Sequence, residues 1–143
     1  MPEAGSSKPS IQEIAAVYEQ ARTDAQGAVD HRLGPRAWER RDELSRSLCP
    51  GDEEPLLEEW GLPRFSAPGG VADADWQGAV DAVSEVLARY DFGPAETVVD
   101  RPGDHEVQFR DGYGAVLLFG ANVNTILSVR TGCHPNAAQD GGS

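Results

Sequence analysis

Four strand-length segments, ETVVDR (96–101), HEVQFR (105–110), GAVLLFG (114–120) and NTILSVRT (124–131), follow one another with only short turns between them. Nothing else in the chain limits the fold as much. Connections such as PGD, DGY and GANVN permit only antiparallel neighbours, because a parallel crossover needs a dozen residues or more. Asp111-Gly112 is a hairpin signal, and the segments are rich in Val, Ile, Phe and Thr. The last third of the chain therefore reads as a four-stranded meander. Residues 115–119 are apolar on both faces, as a central strand would be. Val107 and Phe109 alternate with polar neighbours, so one face of their strand meets water.

A sheet with one apolar face has to bury it against another layer, and two helical patterns upstream can supply that layer. Ser10 and Glu13 form a capping-box signature. Ile11, Ile14, Ala15, Tyr18, Ala21, Ala25 and Val29 then recur at helical spacing, and Gly34-Pro35 stops the run. In the second pattern Asp73 or Asp75 is the expected cap. Trp76, Ala79, Val80, Val83, Leu87 and Tyr90 follow it, and Gly93-Pro94 closes it. The expected fold class is α+β: an antiparallel meander sheet of four or more strands, with both amphipathic helices on one face. A single domain over residues 11–135 would sit between a flexible N-terminal tether (1–10) and a flexible tail (136–143). At 143 residues the chain is long enough to bury a core of its own.

Residues 35–72 carry a weaker pattern. The stretch PRAWERRDELSRSLCPG fits either a short helix or an extended segment ending at Cys49. EEWGLPRFSAPGG reads as an extended segment on a sheet edge. A structureless loop of this length would be unusual inside a compact domain, so part of it must pack.

Charge removes one class of function. With 24 acidic and 12 basic residues the formal net charge is −12, which repels phosphate backbones. The densest basic run, Arg36 to Arg46, is broken by Glu39, Asp42 and Glu43. Nucleic acid is therefore not an expected partner. No apolar run approaches the length of a membrane span.

Three sets of residues could carry chemistry. Cys49 and Cys133 are the only cysteines. Neither has a second cysteine or a histidine at zinc-ligand spacing, and Cys133 and His134 would point to opposite faces of a strand. Two unrelated buried thiols remain one reading, and a bridge typical of an oxidising compartment is the other. Such a bridge would close a loop of roughly 85 residues and contribute on the order of 4 kcal/mol. The turn DRPGDHE brings Asp100, Asp104 and His105 near one another, where they could serve as acid and base or hold a cation. The same residue types also suit an ordinary β-turn. Trp38 and Trp60, with Phe65, lie in the irregular segment, either as loop anchors or as the lining of a ligand surface. No nucleophile-elbow, zinc-protease, phosphate-loop or dinucleotide fingerprint is present.

The stretch DADWQGAVDAVSEVLARYDFG, followed by TVVDRPGDHEVQFRDGYGAVLLFGANVNTILSVRTGCHP, resembles the C-terminal part of LppA-type lipoproteins of actinobacteria. The likeness spans residues 73–135 and runs more faintly through Cys49 and Trp60. Those are small envelope proteins held by a lipidated cysteine, and their function is not established. The resemblance implies an α+β sandwich, a Cys49–Cys133 disulfide, and a place on the outer face of the cell membrane. The chain shows no signal peptide or lipidation cysteine of its own, so the anchor is inferred.

Taken together, these readings give the expectation of a non-enzymatic envelope domain that binds an unidentified ligand or envelope protein. It would be monomeric, with neither cofactor nor metal, and would touch membrane only through the inferred N-terminal lipid anchor. Trp38, Trp60 and Phe65 are the expected ligand surface. The alternatives are an enzyme using the Asp100/Asp104/His105 turn, and an acidic cytosolic domain of immunity or antitoxin type that complements a basic target.

Overall fold

The computed structural model of the chain describes residues 8–51 and 56–137. Most of the expected tether (1–10) and tail (136–143) lies outside these residues. The first helix, α1 (Ile11–Leu33), begins at the expected capping box. The Glu13 amide donates to Ser10 Oγ at 3.1 Å, and the Ser10 amide donates to Glu13 Oε1 at 3.0 Å. Caps of this kind contribute about 1 kcal/mol. The helix ends at Gly34, whose φ of 106° is open to glycine at little cost. All seven stripe residues are buried.

Among its described residues the middle of the chain is extended and forms no helix. It supplies β1 (Glu39–Arg40), β2 (Ser45–Leu48), β3 (Leu57–Gly61) and β4 (Phe65–Pro68). Helix α2 (Asp73–Ala88) follows, then the meander β5 (Glu96–Arg101), β6 (Asp104–Arg110), β7 (Val116–Ala121) and β8 (Asn124–Arg130). A short β9 (His134–Pro135) closes the described chain.

The strands form one antiparallel sheet in the order β1-β4-β8-β7-β6-β5. The strand β4 runs along the first half of β8, with Phe65 opposite Leu127 and Pro68 opposite Asn124. Where β8 ends, β3 takes over at Gly61–Arg130 and carries β2 and β9 on its flanks. The segment expected at a sheet edge therefore continues the sheet beyond β8, giving nine strands among the described residues. Backbone demand explains why: both edges of a central strand as apolar as β8 need hydrogen-bond partners, and residues 57–68 provide the second row.

Both helices cover one face. Val107, Phe109, Leu117, Phe119, Leu127 and Val129 point into the core with the helix stripes, while their strand neighbours face outward. Helix α2 departs from expectation at both ends. Its N-cap is Ala72, whose methyl side chain offers no acceptor; Asp73 and Asp75 lie inside the first turn, and the Asp73 carboxylate is engaged across the fold. The helix stops at Ala88, before Gly93-Pro94: Asp91 takes a φ of 68° and Phe92 turns into the core at 5% exposure. Gly93 then donates its amide to the Arg110 carbonyl at 2.7 Å, which feeds the chain into the sheet. Tyr90 consequently lies past the helix, with its hydroxyl on Asp24.

Candidate functional site

The position of α2 over the sheet decides what the DRPGDHE turn becomes. Residue 105 sits on the inward face of β6, opposite Asp100 of β5, so its ring lies under the first turn of α2 at 6% exposure. There it stacks on Trp76, with centroids 5.0 Å apart and planes at 16°, and Trp76 stacks in turn on Phe119. His105 Nδ1 lies 3.0 Å from Asp100 Oδ1, and Nε2 lies 2.7 Å from Asp73 Oδ1. Asp73 also accepts the Gly103 amide at 2.9 Å. That amide and the His105 contact hold the Asp73 carboxyl below the usual carboxylate range.

Burial pulls the His105 pKa down, but the hydrogen bonds and charges of Asp73 and Asp100 outweigh it and raise it above the ordinary value. An imidazolium donating from both nitrogens satisfies this arrangement. With a carboxylate on each nitrogen, the ring is a clasp joining α2 to the β5–β6 hairpin. Asp104 is not part of it. Its carboxylate turns outward to Arg101 at 2.7 Å, because neighbours along a strand point to opposite faces. The structure thus assembles Asp100 and His105 from the expected constellation, leaves Asp104 out and adds Asp73. The local sequence marks Asp73 only as a helix-start residue; nothing local links it to a histidine 32 positions away.

The clasp forms one end of a cleft of about 360 Å³ between α2 and the edge strand β5, also lined by Gln77, Val80 and Thr97. A wider groove of about 670 Å³ lies on the opposite, helix-free face of the sheet. Leu62, Val116 and Leu118 provide its apolar surface, with Asp42, Arg64 and Arg130 on its rim. Arg130 is held by Glu59 at 2.8 Å.

The three aromatic residues expected at a ligand surface lie in neither space. Trp60 is 7% exposed in the core cluster, with the Arg46 guanidinium 4.8 Å from its ring centre. Trp38 packs against the core and donates Nε1–H to Asp30 at 3.0 Å. Phe65 lies under the buried Arg22 guanidinium at 3.9 Å. All three tie the middle segment to the helices and the sheet.

Cys49 and Cys133 are joined in a disulfide across 84 positions. Glu59 lies close enough to the two sulfurs to complete a three-donor set, but the sulfurs are spent on each other.

Among the described residues, a nine-stranded antiparallel sheet, two helices on one face, an open second face and a covalent staple define a disulfide-bridged α+β domain of the open-faced sandwich type. The sequence profile of the LppA family, described as a lipoprotein confined to pathogenic Mycobacterium, matches residues 3–137, and the chain belongs to that family. The solved structure of the lipoprotein LppA from Mycobacterium tuberculosis is similar, with a TM-score of 0.74 at 10% identity. That match covers 91% of this chain and 80% of that one. A DUF4853 family protein from Actinomyces odontolyticus gives a TM-score of 0.59 at 15% identity, over 95% of this chain and 73% of the other. At such identities the likeness is one of fold. No curated protein matches the sequence. Among the described residues, no helix is long and apolar enough to cross a membrane.

Proposed function

We propose that the chain is the folded, non-enzymatic head of a lipid-anchored protein on the outer face of the cell membrane, and that it works by binding. The observation that carries this reading is the Cys49–Cys133 bridge in a chain of a lipoprotein family. Structural disulfides persist in oxidising compartments and are rare where thiols are kept reduced. The state of His105 supports the non-enzymatic part. The one histidine that the sequence offers beside clustered carboxylates has a carboxylate on each nitrogen, whereas a general base must come within hydrogen-bond reach of a substrate proton.

The test is detergent phase partitioning of the product expressed from its full gene in an actinobacterial host, with and without an inhibitor of lipoprotein signal peptidase. Thiols are counted in parallel under denaturing, non-reducing conditions. Recovery in the detergent phase with no free thiol is expected. Recovery in the cytosolic fraction with two free thiols would sink the reading and favour the acidic cytosolic alternative.

A further inference from the structure

The helix layer stops one strand short of the sheet's edge. Thr97 pairs with Val107 and shares its face, yet Val107 is 4% exposed whereas Thr97 is open to solvent. Asp100 likewise pairs with the buried His105 and remains exposed. The inner face of β5 therefore looks into the cleft beneath α2, with Gln77 and Val80 on the opposite wall. On its other side β5 ends the sheet, so its outward backbone groups have no ladder among the described residues. A groove between an edge strand and a helix suits an extended peptide added as a further strand, with alternate side chains entering the groove.

Charge selects the occupant. Residues 73–106 hold nine acidic side chains against Arg89 and Arg101, and Arg101 is already paired with Asp104. The cleft itself presents two carboxylates to one imidazole ring. In the register that sets Glu96 opposite Asp100, a second copy of this chain would place like charges directly opposite, which is destabilising. The β-bulge between Thr97 and Val99 adds to that protection against self-pairing. A basic strand would reverse the sign of those cross-strand pairs.

We propose that the β5 edge and the cleft beneath α2 bind an extended, basic segment of a partner protein, which adds to the sheet as a strand and places a lysine or arginine against the cleft carboxylates. This names the partner class for the binding head proposed above and rests on that reading. The experiment is amide chemical-shift mapping of the isotope-labelled chain with the peptide acetyl-Thr-Lys-Val-Lys-Thr-amide. Three comparisons accompany it: the same peptide N-methylated at valine, the glutamate-for-lysine version, and the double variant Gln77→Arg/Thr97→Arg, whose two positions lie on the cleft walls.

Shifts should cluster in residues 73–80 and 96–101 and weaken as salt rises through roughly 0.5 M. N-methylation and the double variant should each weaken binding at least about tenfold, which is roughly 1.4 kcal/mol, and the acidic peptide should cause no shifts. Equal binding of the N-methylated or acidic peptide, or undiminished affinity in the double variant, would overturn the inference. Shifts confined to the Leu118 and Ser128 face would also overturn it, while leaving the binding head in place. Silence with every probe overturns it too, and the partitioning and thiol results then judge the parent reading alone.

Discussion

Replacing both bridge cysteines, Cys49→Ser with Cys133→Ser, isolates the largest covalent contribution to this fold. The bridge closes a loop across 84 positions, and chain-entropy arithmetic for a loop of that size gives about 4.5 kcal/mol of destabilised unfolded state. Both cysteines are only partly buried, so the serines leave little cavity or desolvation penalty, and nearly all of the effect should act through the unfolded chain. For a chain of this length 1 kcal/mol corresponds to about 3 °C in Tm, so the melting temperature should fall by roughly 10–15 °C. The urea m value should rise as well, because the unbridged chain exposes more surface on unfolding. Local effects should accompany the global one. All four residues of β2 are exposed, and its ladder runs to β3 alone, so Cys49 is its covalent tie to the C-terminal end. Amides of residues 45–48 should therefore lose protection in hydrogen exchange before the core strands do. Calorimetry and urea unfolding of the two proteins decide the matter. A fall of less than about 3 °C with an unchanged m value would refute the loop-closure reasoning.

Two further predictions concern the histidines and a glycine. His105 has a folded pKa above its ordinary 6.5, so its contribution to stability is full below that value and is lost as pH rises through the folded pKa. His134 is fully buried and its pKa is lowered, by burial first and by the Lys8 charge in addition, against the opposing Pro9 hydrogen bond. Its contribution is therefore full above pH 6.5 and is lost as pH falls towards the folded pKa. Stability measured between about pH 5 and 8 should consequently gain a more positive slope in His105→Gln and a more negative one in His134→Gln. Parallel curves for both variants and the parent would contradict the assignment. Gly132→Ala should destabilise by about 1–3 kcal/mol, in the range of overpacked cores, because a Cβ there would lie 1.9 Å from the Tyr113 backbone carbonyl oxygen. A Tm within about 1 °C of the parent would show that the Tyr113–Gly114 turn can yield.

Periodicity made much of the fold legible. The α1 stripe, its capping box and the existence and order of β5 to β8 follow from residue spacing, with strand ends displaced by up to two residues, because each is specified by neighbours a few positions apart. The middle segment was ambiguous for a physical reason. Strands as short as Glu39–Arg40 and Ser45–Leu48, with no buried residue of their own, owe their existence to ladder partners that are distant in sequence or weak in pattern. Local propensity around Leu44 and Leu48 could not arbitrate between helix and strand. The early end of α2 had a similar cause: Leu87 is the last residue that can face the core from the helix, and Phe92 reaches it only after the chain has turned through Asp91. At the candidate site, Asp100 and His105 were visible because one hairpin holds both. Asp73 was hidden because its role depends on how α2 docks.

The contacts between α1 and β9 have a topological consequence. Pro9 accepts from His134 Nδ1 at 3.0 Å, Lys8 donates to the Cys133 carbonyl at 2.6 Å, and Gln12 meets both Asn136 and the Ala137 amide. The first and last described segments thus leave from the same pole. A short linker joining residue 137 to residue 8 would make the backbone effectively circular, and the ring could then be reopened at an exposed loop such as 122–123 with the core order of strands unchanged. Attachments at either end, including any surface to which the chain is fixed, would hold the molecule by that one pole.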